Sequence, residues 1–271
     1  MLIYMDNAEE LVAEIGRKFL PRVKANESTY FVDAVDLHYR DLNTLLRALS
    51  NNGAEKIEIQ NVYGQRYIGT NLDKKIGIDI NGTPGNDLGA FMNGPTMVVY
   101  GNAQDCCGNT MNDGRIIIHG HAGDVTGYSM RGGKLFVRDD VGYRVGIHMK
   151  EYLDKRPCLV VGGTAGDFLG EYMAGGVMLV LGLNLGEEKR HQARFVGTGM
   201  HGGVIYVRGE VDHLGKEVEA SSVDEKDMRL IGELMSEFCK YFGCDYESIM
   251  KDSFTKIAPI SCRPYVNLYA Y

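Results

Sequence analysis

No run of about 18 apolar residues occurs in this chain, so no membrane-spanning helix is expected. The opening Met1-Leu2-Ile3-Tyr4-Met5-Asp6 lacks the basic segment and long apolar stretch of a secretory leader. Basic residues are also short. The 29 Lys and Arg against 36 Asp and Glu leave a formal charge of −7 and a pI near 5.5, which argues against nucleic acid or an anionic membrane as partner. Six cysteines are present, but none in Cys-x-x-Cys spacing: Cys106 and Cys107 are adjacent, Cys158 is isolated, and Cys239, Cys244 and Cys262 lie in the tail. Free structural thiols are therefore expected rather than a zinc or redox centre, and the expected compartment is the cytoplasm.

What the chain has in quantity is glycine and methionine in a repeat. Met92, Met111, Met130 and Met149 are spaced by 19 residues, and Met173 and Met200 follow at intervals of 24 and 27. A glycine precedes each by three residues: Gly89, Gly108, Gly127, Gly146, Gly170 and Gly197. Glycine pairs such as Gly132-Gly133, Gly175-Gly176 and Gly202-Gly203 follow. Short apolar runs come next: Met97-Val98-Val99, Ile116-Ile117-Ile118, Leu135-Phe136-Val137, Cys158-Leu159-Val160, Met178-Leu179-Val180 and Ile205-Tyr206-Val207. Self-similarity at this period marks a solenoid, whose units bury their apolar faces only by stacking.

The unit is too short for two helices and lacks the ladder of a leucine-rich repeat. Its runs suit strands that turn at glycines, where positive φ is cheap. The expected fold is an all-β core, a right-handed parallel β-helix of about seven turns with flanking α-helices. Charged insertions between Met149 and Cys158 (four extra residues) and between Gly182 and Gly197 (eight extra) are expected to bulge as loops.

Three segments are expected: residues 1–55 as a helical cap, 56–209 as the β-helix, and 210–271 as a helix with an extended tail. One helix is predicted from Asn7 through Phe19 and another over Asp41–Leu49, capped by Asp41. Lys56–Gln60 reads as the first strand, residues 210–225 as acidic and strandless, and 226–243 as a helix with Ile231, Leu234, Met235 and Phe238 on one face. Phe254–Pro259 reads as extended, continuing through Arg263-Pro264-Tyr265.

Three strings imitate functional motifs. Gly197-Thr198-Gly199-Met200-His201-Gly202 matches a dinucleotide fingerprint, yet a strand follows where that site needs a helix N-terminus. His119 and His121 straddle a corner with no third ligand in view. Asp105, Asp124 and Asp167, with Asn86 in register, resemble paired catalytic acids, but Asp and Asn also bond corner amides in stacked turns, which is the reading preferred here. No catalytic, cofactor-binding or metal-binding residue is assigned on this chain.

Strand alternation places the first and third columns inside with the methionines. The middle column, Val98, Ile117, Phe136, Leu159, Leu179 and Tyr206, then faces outward. Such a stripe exceeds what a soluble surface tolerates, so a flanking helix or another polypeptide is expected to cover it.

The run Gly120-His121-Ala122-Gly123-Asp124-Val125-Thr126-Gly127-Tyr128-Ser129-Met130-Arg131-Gly132-Gly133 resembles the glycine-repeat domain at the C-terminal end of the glutamate synthase large subunit. Asn61 through Gly69, with Arg263-Pro264-Tyr265 and Leu268-Tyr269-Ala270, looks like its stand-alone archaeal and bacterial form. The resemblance spans roughly residues 28–271, and a subunit of formylmethanofuran dehydrogenase belongs to the same superfamily.

The resemblance implies a non-catalytic structural subunit of a glutamate synthase-type complex. Glutaminase and FMN-binding synthase chains would be its partners, with FMN and an iron–sulfur cluster on those chains, and homo-oligomerisation stays open. Formylmethanofuran dehydrogenase and an N-methylglutamate synthase-type amidotransferase are alternative assemblies. A β-helix carbohydrate enzyme is a further alternative, but such enzymes are normally secreted. A left-handed acyltransferase helix repeats every six residues, which a 19-residue period does not fit.

Overall fold

A computed structural model describes residues 22–186 and 190–261 of the chain. Two strands the sequence reading did not anticipate, β1 (Val23–Asn26) and β2 (Thr29–Asp33), form an antiparallel hairpin. Helix α1 (Tyr39–Asn51) then crosses to β3 (Lys56–Tyr63), which runs parallel to β2. From there the chain coils, placing one strand of the main sheet in each turn: β4 (Gly77–Thr83), β5 (Asn93–Tyr100), β6 (Asp113–Ile118), β7 (Lys134–Val137), β8 (Cys158–Val161) and β9 (Ala174–Val180). Strand β10 (Arg190–Val196) lies off this sheet, and β11 (Gly202–Arg208) rejoins it. The spine is thus β2 to β9 plus β11, each parallel to the last. This is a parallel β-solenoid, as the repeat predicts.

The remaining elements close the far end. Strands β12 (Glu210–Leu214) and β13 (Val218–Ser222) are followed by helices α2 (Glu225–Phe242) and α3 (Tyr246–Ile249) and by strand β14 (Phe254–Pro259). Strand β14 pairs antiparallel with β11, and β13 with β14, so antiparallel strands border the parallel stack at both edges. The expectation that 210–225 is strandless is wrong. Strands β12 and β13 are mostly exposed, so pairing with β10 and β14 holds them without the apolar alternation that marks a buried strand. Strand β10 likewise turns part of the second insertion into a small sheet; residues 187–189 lie outside the described residues.

Met92, Met111, Met130, Met149, Met173 and Met200 are all buried in one core, as expected. The methyls of Met92, Met111, Met149 and Met173 reach a glycine of the next turn, Gly114, Gly133, Gly176 and Gly203 in that order. A Cβ at Gly133 would sit 2.5 Å from Met111 Cε, and one at Gly203 2.6 Å from Met173 Cε. Gly133 also adopts φ 74°, so space and backbone both exclude a side chain.

Helix α1 closes the core at its first turn, with Leu42, Leu45, Leu46 and Leu49 packed in the same cluster as Ile57 and Ile59. Its N-cap is His38 rather than Asp41, because His38 Nδ1 accepts from the Arg40 amide at 3.4 Å, which leaves Asp41 in the first turn. The predicted helix at Asn7–Phe19 and the ending at Arg263-Pro264-Tyr265 lie outside the described residues. No helix among the described residues is long and apolar enough to cross a membrane.

Candidate functional site

The outward column is covered by the chain itself. Ile117, Phe136, Leu179 and Tyr206 are buried against Ile231, Leu234, Met235 and Phe238 of α2, with Val98 half-buried at the margin. One predicted member is misplaced. Strand pairing sets Leu159 between Leu135 and Met178 in the inner column, and Val160 is the residue between Phe136 and Leu179. The first insertion therefore holds five extra residues rather than four: Met149 to Leu159 is ten positions where Met130 to Leu135 is five.

Helix α2 is fastened at both ends. At its start, Asp224 caps the amides of Lys226 and Asp227, and the Asp227 carboxylate returns to the Asp224 amide at 3.1 Å. Asp227 also accepts from Tyr206 Oη at 2.6 Å and from Lys256 Nζ at 3.0 Å. Burial pushes the Asp227 carboxyl up, but the bonds from Tyr206, the Asp224 amide and Lys256 together hold it below the usual carboxylate range. Burial, reinforced by Asp227, raises the Tyr206 phenol. Further along, Glu237 pairs with Lys134 and with Arg115, the latter at 3.7 Å.

The corner opposite the methionines' glycine pairs is built differently. In each Gly-Asp-x-x-Gly-x-x-Met unit, three of five successive residues take left-handed backbone, as at Val125 (φ 60°), Gly127 (φ 76°) and Ser129 (φ 50°). Carboxylates hold these turns in line. Asp105 accepts from the Asp124 amide, Asp124 from the Tyr143 amide (both 2.9 Å), and Asp167 from the Arg194 amide at 2.9 Å. The Asp167 carboxyl lies below its ordinary value, first through Arg194's side-chain hydrogen bonds and then through that amide. These are the ladder contacts preferred in the sequence reading.

A scan against family models matches the GXGXG motif over residues 47–260. The chain belongs to the GXGXG family. A protein of Methanocaldococcus jannaschii, MJ1350, is 54% identical over 251 residues, covering 88% of this chain and 95% of that one. Among solved structures, a chain of the formyltransferase/hydrolase complex FhcABCD of Methylorubrum extorquens, determined with methylofuran, superposes with a TM-score of 0.60 at 18% identity. That match covers 85% of this chain and 91% of the other, and it establishes likeness of fold.

The GXGXG corners carry a feature the sequence reading missed. In the later turns the left-handed x positions carry rings that stack on the neighbouring turn. Phe168 lies 4.9 Å from Phe195, Arg144 sits over Phe168 at 5.3 Å, and His148 stacks on Tyr172 at 5.4 Å. Phe195 is 50% exposed and Tyr172 47%. Arg144 Nε is also 3.3 Å from Glu171, so the charges here are internally compensated. Comparing x positions between repeats, rather than the glycines alone, would have exposed this column.

The other singled-out residues make contacts within this GXGXG solenoid. His119 stacks between Tyr100 and Phe242, while His121 Nδ1 accepts the Asp140 amide at 3.2 Å, so the two rings serve different neighbours. Burial lowers the His119 pKa. The fingerprint Gly197–Gly202 leads into β11, a strand, and Gly199 lies under the Tyr172 ring. Cys107 and Cys158 are buried, and Cys106, Cys239 and Cys244 half-buried; burial raises the Cys158 thiol. Cys262 lies outside the described residues.

Proposed function

We propose that this chain is a non-catalytic structural subunit of a glutamate synthase-type complex. In that complex, glutaminase and FMN-binding synthase chains carry out transfer of the glutamine amide to 2-oxoglutarate. The observation that carries this reading is the commitment of the solenoid's reactive side chains to its own turns. The corner carboxylates Asp105, Asp124 and Asp167 each hold an amide of the following turn. The described cysteines lie at three separate places: the corner, the α2-covered face, and the end of α2. They do not converge as cluster ligands, so in this reading the iron–sulfur cluster belongs to the partner chains, as does the FMN of the synthase chain.

A second assembly has specific support. The fold likeness to a chain of the FhcABCD complex, at a TM-score of 0.60, favours a place in a formyl-transferring complex. Gentle affinity purification from the native cell, with companions identified by mass spectrometry, separates the two. A glutaminase and a flavin-containing barrel protein are the expected companions. Formyltransferase chains would move the chain to the second assembly. Glutaminase activity or a flavin absorbance band in the purified chain alone would overturn both.

A further inference from the structure

Strand β13 is the last strand of the main sheet, and its pairing with β14 leaves one side of it open. The register is uninterrupted, from Val218 opposite Pro259 to Ser222 opposite Thr255. The Ile260 amide donates to the Glu217 carbonyl at 2.9 Å, while Pro259 has no N–H to give. Alternation along an antiparallel pair then turns the N–H and C=O of Glu217, Glu219 and Ser221 toward β14. Those of Val218, Ala220 and Ser222 point to the open side, where no backbone group among the described residues pairs with them. Glu219 through Ser222 are all exposed, so α2, which packs on the columns from β6 to β11, leaves them uncovered.

Proteins ordinarily guard such an edge with lysine, proline or a bulge. Strand β1, at the opposite edge, exposes Lys24 in its middle. Strand β13 has none of the three guards. We propose that β13 is the surface through which two copies of this chain pair, the strands running antiparallel about a two-fold axis at Ala220.

The stretch Lys216–Asp224 is complementary to its own reverse about that axis. Ala220 meets Ala220 and Val218 meets Ser222, so every outward N–H finds a carbonyl. Glu219 lies across from Ser221, a carboxylate opposite a hydroxyl donor, and no like charges oppose each other along the strand. Past the strand ends, the exposed Lys216 of each copy comes beside Asp224 of the other. This self-complementarity selects a second copy as the occupant. The pairing joins the two twelve-stranded sheets into one and rests on neither assembly considered above. One short strand from each copy is a small contact, so the dimer is reversible and depends on concentration.

The test is sedimentation of the full chain at about 100 μM, a concentration suited to a small interface. The expected mass is twice that of one chain. Ala220→Pro removes only an outward N–H, which an edge strand can lack, so this variant should sediment as a single chain with an unchanged thermal midpoint. Ala220→Cys should cross-link to its twin on mild oxidation, because residues facing each other in such a pair have Cα atoms roughly 5.5 Å apart, within disulfide range. Mass spectrometry reads the two peptides joined at position 220. Four results would each overturn the proposal: a natural chain of single mass, assembly that grows beyond two copies, a folded Ala220→Pro variant that still pairs, or no linkage at position 220. The cross-link decides the matter even where the proline variant fails to fold.

Discussion

Tyr206 gives its phenolic hydrogen to Asp227 across 2.6 Å, joining a solenoid strand to the first turn of the helix that covers it. Lys256 on β14 completes the contact, so three elements distant in sequence meet on one carboxylate. Replacing Asp227 with Ala leaves the buried Tyr206 hydroxyl and the half-buried Lys256 ammonium without their acceptor, and is expected to cost on the order of 2–4 kcal/mol. Tyr206→Phe should cost about 1–2 kcal/mol. Denaturant unfolding of both variants checks this; a cost below that of an ordinary surface change for Asp227→Ala would show the helix to be held elsewhere.

Met130 lies midway along the buried methionine column. Met130→Ala removes packing that its neighbouring turns cannot collapse to replace, and a loss of roughly 2–5 kcal/mol is expected. A shift in the midpoint of chemical unfolding at constant slope is the readout.

Phe136 is fully buried beneath α2, with Tyr241 at its edge. Phe136→Asp places an unpaired carboxylate there, so the chain itself should be destabilised, by on the order of 4 kcal/mol, before any assembly is considered. Circular dichroism of the isolated variant is the direct check. Full stability would mean that α2 does not rest on this column.

His191 is buried, and its Nε2 donates to the Arg208 carbonyl at 3.0 Å. Burial holds its pKa below the ordinary histidine value, against a smaller opposing pull from that carbonyl. As pH falls below about 6.5 the unfolded chain binds a proton that the folded ring resists, so this contribution is intact at neutral pH and is lost on acidification. His191→Gln should show a shallower fall in thermal midpoint between about pH 7 and pH 5. Equal slopes in the two proteins would remove His191 from the pH response.

The inner column was legible because every methionine sits five residues before the inward strand residue in turns without an insertion, as Met111 does before Ile116. The register slipped at Leu159, where the charged Lys150–Arg156 stretch conceals that interval and three apolar neighbours, Leu159, Val160 and Val161, look alike. Strands β12 and β13 left no pattern because backbone pairing at an exposed edge makes few demands on side chains. The ladder carboxylates Asp105 and Asp124 could be read from stacked-turn chemistry. The aromatic corner could not be read from glycine spacing, because it lies in the positions between the glycines.

Stacking one strand per turn gives this molecule coarse graduations along its axis. Nineteen residues advance the coil by one strand spacing, about 4.8 Å, where the same residues in a helix would reach roughly 28 Å. Length can therefore change only in whole steps, and the two long intervals, at Met173 and Met200, widen the coil sideways without extending it. Any two surfaces attached to different turns are held at separations counted in those steps.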